Sequence, residues 1–389
     1  MVTLTARSRC GLRSRSGGTD AGRSGLGTYV RSIIPPLANL LSSEGGSLVA
    51  IGDAREIQSY SSVIERAACV PAPGTSVPAL SALWYLTRGG DLARAASADV
   101  LLLPAANRRL TARSPIPTVA VVHDLANLHV PNKYDVLRLA YLRWVMLLAL
   151  RTATEIVAVS QATHDDLAGI LGAAGARARV VPNGVDTARF MAGNRDAVQV
   201  TNARRQAGLE SPYLLYPARL EHPGKNHIRL VNAFAQSTLS QTHQLALAGA
   251  DWGAKERIRS EVARLGLERS VRFLGYVSDE ILAGLVASAE AVLVVGLYEG
   301  FGLPALEGLA AGRPVVVSRT GAVRECVGSL AVDCDPYDLT SLRLALERVV
   351  ADTRLHERAA REGPNWAATW TWDRTARGLL DVCLTAMSR

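Results

Sequence analysis

The stretch Ala291–Ser318, AVLVVGLYEGFGLPALEGLAAGRPVVVS, decides how the rest of the chain is read. It opens on an unbroken apolar run, Ala291–Val295, and passes through a loop holding Glu299, Gly300 and Gly302. A helix is expected from Leu303-Pro304, and a second apolar run follows at Pro314–Val317. Continuous rather than alternating apolar runs are the mark of parallel strands buried on both faces. Proline suits a first helical turn, where its missing N–H costs nothing. Strand, loop, helix and strand make a βαβ unit. Free N–H groups at such a helix start, beside a strand's carboxyl end, form a ready anion site. Glu299 sits in the loop and Glu307 lies eight residues on, about one turn inside the helix. Either glutamate alone would be read as complementing the helix dipole, worth about 0.3–1 kcal/mol. The pair around GFGLP points instead to a binding site.

The same alternation runs outward in both directions. Further strands are expected at Ser47–Ile51, Asp99–Leu103, Thr118–Val122, Glu155–Val159 and Arg179–Val181, then at Tyr213–Pro217, Gln244–Ala248, Val271–Leu274 and Ala331–Asp333. Helices such as Thr28–Ser42, Asp135–Ala153, Ile228–Gln236 and Leu339–Val350 separate them. Strict alternation predicts an α/β protein with doubly wound parallel sheets. The pattern pauses once, at Thr187–Ser211, so two sheets are expected, facing each other across a cleft. The predicted organisation is an N-terminal Rossmann-like domain over 1–190, a linker over 191–211 and a second Rossmann-like domain over 212–365. A C-terminal helix over 366–389, rich in tryptophan (366, 370, 372), is expected to pack back across the interface.

Composition excludes several classes. The 389 residues are 48% hydrophobic and 20% charged, ordinary for a globular protein and too apolar for global disorder. No apolar run approaches the roughly 18–20 residues of a membrane span. The longest, Leu139–Leu150, is broken by Arg143. Of the net charge of +8, residues 1–43 supply +5, from arginines 7, 9, 13, 15, 23 and 31 against Asp20. The remainder is nearly balanced, which argues against nucleic acid as a partner. Five scattered cysteines (10, 69, 326, 334, 383) lack metal or redox spacing and are expected as reduced thiols. With no apolar leader segment, a cytoplasmic protein is expected. The basic Arg7–Arg31 stretch and the helix Tyr134–Leu150 suggest peripheral contact with anionic membrane.

Other strand ends carry candidate chemistry. Pro217–Asn226, PARLEHPGKN, places Arg219 and Lys225 six apart on one loop, a fork and a point charge able to grip a diphosphate. Val119–Leu125, VAVVHDL, puts His123 at a strand tip. Asp20–Val30, DAGRSGLGTYV, is a glycine-rich loop before a helix, with Gly25 and Gly27. Two further strand-end loops, VSQ at Val159–Gln161 and VPNGVD at Val181–Asp186, fall on the same side of the first sheet.

Taken in order, GLGTYV, VVHDL, VAVSQATHDDL, VVPNGVDTARF, ARLEHPGKN, LGYVSDEILAGL, YEGFGLPALEGLAAGRPVVVS and GAVREC resemble the retaining glycosyltransferases of family 4, from about Asp20 to Trp372. The resemblance implies the GT-B architecture of two Rossmann-like domains. It implies that Arg219 and Lys225 bind the donor diphosphate and stabilise the leaving nucleotide. Glu307 would hold the ribose hydroxyls, and Glu299 would lie near the transferred sugar. Backbone N–H groups of Phe301, Gly302 and Leu303 would add sugar and phosphate contacts. His123 would contact the sugar and orient the reacting centre, and Gly25 and Gly27 would close on the phosphates. The implied reaction is transfer of a hexose with retention, by front-face substitution, from a nucleotide sugar to a saccharide or lipid-linked acceptor. A GDP-mannose-like donor is favoured, and no metal or cofactor is expected. A nucleotide-sugar 2-epimerase and a non-catalytic sugar-nucleotide-binding relative are the alternatives. A dehydrogenase is disfavoured, because no GxGxxG with a following acid is present. Two departures stand out. Val295-Gly296-Leu297 occupies the place where the family often has Pro-Ser, and a first strand at Val2–Ala6 would be followed by an insertion, Arg7–Thr19.

Overall fold

The computed structural model describes residues 2–5, 12–13, 25–52, 54–65, 67–72, 78–131, 133, 139–195 and 197–389. They fall into two compact units. One comprises Met1–Leu125, Tyr134–Gly184 and Trp372–Arg389, the other Ala126–Lys133 and Val185–Thr371.

The first unit holds strands β1 (Val2–Thr5), β2 (Leu12–Arg13), β3 (Ser47–Gly52), β4 (Ala68–Pro71), β5 (Val100–Leu103), β6 (Thr118–Val122), β7 (Glu155–Ala158) and β8 (Arg179–Val180). Their order is β2-β3-β1-β5-β6-β7-β8, with β4 also paired to β3. From β5 to β8 every pairing is parallel. Strands β5, β6 and β7 are buried along their whole length, as their continuous apolar sequences require. The strand expected at Val2–Ala6 is present as β1, but it runs antiparallel to both β3 and β5. Direction depends on the path of the chain after the strand, which a short apolar run does not encode. Most of the Arg7–Thr19 insertion lies outside the described residues.

The second unit carries β9 (Tyr213–Tyr216), β10 (Gln244–Ala248), β11 (Val271–Gly275), β12 (Ala291–Val294), β13 (Val315–Ser318) and β14 (Ala331–Cys334). All pairings are parallel, in the order β11-β10-β9-β12-β13-β14. Counted along the chain, that is 3-2-1-4-5-6, the doubly wound Rossmann order. Strand order reverses between β9 and β12. In open α/β sheets, the crevice beyond the carboxyl ends at such a reversal is where ligands bind. The loops leaving β9 and β12 are those that hold Arg219, Lys225 and Glu299. Leu214, Tyr216, Leu245, Leu247, Leu293 and Val316 form the heart of the core beneath them.

Two stretches differ from the sequence reading. The residues read as a linker, 191–211, are mostly helical: Thr187–Arg195 and Ala197–Gln206 are helices of the second unit. The helix expected over 366–389 begins at Trp372, while Trp366 and Ala367 close the preceding helix. Thr353–Ala367 stays with the second unit and Trp372–Met387 belongs to the first. Trp366 Nε1 donates to Cys326 O (2.7 Å), while Thr375 Oγ1 donates to Pro182 O (2.7 Å), so each piece is anchored to its own unit. Cys326, Cys334 and Cys383 are buried free thiols and Cys69 is a half-buried one. No helix among the described residues is long and apolar enough to cross a membrane.

Candidate functional site

Lys225 and Glu299 meet at the β9/β12 reversal. The Lys225 ammonium donates to both carboxylate oxygens, at 2.8 and 2.9 Å. Asn226 explains why two loops 74 residues apart come together. It is buried, and its amide donates to Val295 O (3.2 Å) and Pro336 O (2.8 Å), joining the ends of β9, β12 and β14. Tyr216 Oη donates to Lys225 O (2.6 Å), and Leu297 N–H to Gly224 O (2.9 Å), closing the loop pair from below. The Asn226 amide and the Tyr216 hydroxyl are thereby satisfied, which holds the two loops together before any ligand arrives.

Arg219 is held from two sides. Its guanidinium lies 4.5 Å from the Trp252 ring, and Nε and Nη2 both reach Glu221 Oε2. Lys133 lies 3.7 Å from the other Glu221 oxygen. Burial pushes the Glu221 carboxyl up, but Arg219, Lys133 and Lys225 outweigh burial and hold it below its ordinary range. Glu221, Lys133 and Asn226 were not singled out from the sequence. Glu221 and Asn226 stand inside the quoted ARLEHPGKN. Lys133 had no local signal, since its partner is 88 positions away.

The loop after β12 turns sharply into the helix Leu303–Ala310. Gly302 caps that helix at φ +101°, and a Cβ there would come within 2.5 Å of Val323 Cγ2. Only glycine fits both requirements. Gly321, at φ +72°, lets its backbone lie against that of Glu299, whose carbonyl accepts from Ala322 N–H at 2.8 Å. Phe301 is buried edge-on to Trp370. Its carbonyl accepts from the Cys326 thiol (3.4 Å), which burial keeps protonated.

Glu307 lies in this helix, only 8% exposed, and its carboxylate makes no hydrogen bond to any described residue. Its nearest cation is Arg189, with Nη2 4.0 Å from Oε1. Burial pushes the carboxyl up to about 7; Arg189 opposes this, and Asp279 and Asp186 reinforce it.

The remaining sequence candidates lie in the first unit. His123 is buried at the end of β6, and its Nε2 is 2.7 Å from Pro104 O. A carbonyl only accepts, so Nε2 carries the proton and Nδ1 the lone pair. Burial lowers the imidazole's pKa and favours this neutral form. Tyr29 packs edge-on against it at 4.5 Å. Tyr29 comes from the helix Gly25–Ser43, so Gly25 and Gly27 form that helix's first turn instead of a loop ahead of it. The structure thus gathers Arg219, Lys225, Glu299, Phe301, Gly302, Leu303 and Glu307 on the second unit, and His123, Gly25 and Gly27 on the first.

Comparison with known proteins agrees with this division. The family model for glycosyl transferases group 1 matches residues 199–366, and that for glycosyltransferase family 4 matches 37–189. The D-inositol 3-phosphate glycosyltransferase of Salinispora arenicola is 33% identical over 246 residues, covering 59% of this chain and 54% of that protein. The MMP alpha-(1->4)-mannosyltransferase of Mycolicibacterium hassiacum is 30% identical over 245 residues, covering 61% and 56%. The chain therefore spans about half the length of the curated relatives it matches. Among solved structures, Anabaena HepE in complex with UDP and glucose superposes with a TM-score of 0.73 at 19% identity, covering 96% of this chain and 98% of that one. The two adjoining matches, to glycosyltransferase family 4 and to glycosyl transferases group 1, fall on the two Rossmann-like units in turn, and the fold is the GT-B fold of glycosyltransferases.

Proposed function

We propose that the protein is a retaining glycosyltransferase that takes a hexose from a nucleotide-sugar donor. The observation that carries this reading is the placement of Arg219 and Lys225 at the one strand-order reversal of the second sheet, beside the start of the helix that bears Glu307. Breaking a glycosyl–phosphate bond leaves negative charge on the departing diphosphate. Preorganised cations and helix N–H groups aimed at that charge are the usual source of a large rate effect. Glu307, buried and without a hydrogen bond, offers the ribose hydroxyls an acceptor. Glu299 would engage the sugar once the diphosphate draws Lys225 away. A GDP-mannose-like donor and a saccharide or lipid-linked acceptor are the specific reading, without metal or cofactor.

Calorimetric titration with GDP, UDP, dTDP and ADP tests the donor site. One clear preference is expected. Failure of every nucleotide to bind folded protein would sink the assignment, and a preference for UDP would replace the guanine donor.

Peripheral membrane contact is proposed on separate ground. Trp144 (70% exposed) and Leu148 (58%) stand one turn apart on the helical stretch of the first unit, flanked by exposed Arg143 and Arg151. Apolar and basic side chains in that pattern suit an anionic interface. Sedimentation with anionic vesicles should be lost in Trp144→Ser/Leu148→Ser; equal pelleting of the variant would remove this surface from the reading.

A further inference from the structure

We propose that Arg189 is a second sugar-recognising residue of the donor site, contacting the vicinal ribose hydroxyls together with Glu307; the inference rests on reading Glu307 as the ribose ligand. Arg189 lies in the helix Thr187–Arg195, whose first turn is fixed by Asp186 Oδ1 accepting the Arg189 N–H at 3.1 Å. Its Nη1 is engaged with Asp279 Oδ2 at 3.1 Å, and Phe190 covers its guanidinium carbon at 4.8 Å. Nε is buried and has no partner among the described residues. Covalent geometry puts the Nε and Nη2 protons on one edge of the fork. That edge borders Glu307, with Nη2 4.0 Å from Oε1.

A guanidinium only donates and a carboxylate only accepts, yet here they stop short of a direct hydrogen bond. Arg189 Nε is buried and the largely buried Glu307 carboxylate makes no hydrogen bond to a described residue, and native interiors seldom leave such capacity unfilled without a ligand or water to complete it. A hydroxyl accepts and donates at once. One hydroxyl oxygen seated in the 4.0 Å gap would take a proton from Arg189 and give its own to Glu307. A cis-diol presents two such groups on neighbouring carbons, matching the two N–H groups of the edge and the two oxygens of the carboxylate. Asp279 holds the guanidinium from its opposite edge, so the fork is aimed before the nucleotide binds.

The test compares a nucleoside diphosphate with its 2′-deoxy counterpart (GDP with 2′-deoxy-GDP, UDP with 2′-deoxy-UDP) on wild type, Arg189→Gln, Arg189→Lys and Glu307→Gln. Titrations are done by calorimetry, with unfolding temperature recorded for each variant. Wild type is expected to prefer the ribonucleotide by about tenfold or more, the usual size of a hydrogen bond to a charged group. Arg189→Gln should lose most of that preference, with deoxynucleotide affinity changed less than about twofold. Arg189→Lys keeps the charge but not the edge, and should behave alike. A preference unchanged in Arg189→Gln, or retained by Arg189→Lys, overturns the hydroxyl contact while leaving Glu307 in place. A wild type without preference, or Glu307→Gln with the full wild-type preference, overturns the ribose reading of Glu307 itself.

Discussion

Lys225→Ala is expected to lower kcat/KM for the donor by about 10²–10³-fold, the size seen when one preorganised donor to a developing negative charge is removed. Stability falls as well, because the ammonium is the partner of both Glu299 oxygens. Removing one member of a fully buried ion pair costs about 3–5 kcal/mol. Both side chains here keep some water, 21% and 13% exposed, so about 2 kcal/mol is the better expectation. The two effects are separable. In Lys225→Ala/Glu299→Gln no uncompensated charge remains, so the unfolding midpoint should recover while nucleotide affinity does not. Should the double variant bind nucleoside diphosphate like wild type, Lys225 is a structural cation and its place on the diphosphate is lost.

Glu307→Gln should be more stable than wild type and bind donor worse. The carboxyl is pushed from its ordinary 4.5 up to about 7 by burial, against the pull of Arg189. Below pH 4.5 it is protonated in both folded and unfolded chains. Between 4.5 and 7 the folded chain keeps a proton that the unfolded chain releases, so stability falls as pH rises through that window and levels off above it. At about 1.4 kcal/mol per pH unit, the loss amounts to about 3 kcal/mol. Glutamine carries no such penalty, so the variant should gain up to that amount at pH 8 and little at pH 4.5. Its affinity for nucleoside diphosphate should drop about tenfold or more, since an amide offers one acceptor where the carboxylate offers two. Denaturant midpoints at the two pH values, with titrations at pH 8, decide the matter. Parallel midpoints for both proteins would mean that the carboxyl is not strained by burial.

Stability given up for a charged group in a dry place is a usual mark of a binding site. It also shows what sequence alone can reach. The buried strands at Ala291–Val294 and Val315–Ser318 were legible because runs of four and three consecutive apolar residues leave few other places to be. Family resemblance gave Arg219, Lys225, Glu299 and Glu307 their expected roles, but not their partners. That Lys225 grips Glu299, that Glu221 joins Arg219 to Lys133, and that Arg189 faces Glu307 are facts of tertiary placement. The spacings involved, 74 residues for Lys225–Glu299 and more for the others save Arg219–Glu221, carry no local pattern. The antiparallel course of β1 was hidden for a similar reason: direction is written in the chain that follows, not in the strand. Arg189 sits inside the VVPNGVDTARF segment already noticed, and nothing in its neighbours' types marked it apart.

The three cations around the β9/β12 crevice are each already occupied by a carboxylate, Lys225 by Glu299 and both Arg219 and Lys133 by Glu221. Orthophosphate arriving there from a crowded solution would have to dislodge an anion as good as itself, with nothing else to hold it. A nucleotide sugar, the donor proposed above, would bring a ribose, a base and a hexose along with its phosphates, and so could displace the resident glutamates where the lone ion would not. On the proposed reading, the pairing that looks like a neutralised site would act as a filter against abundant inorganic anions.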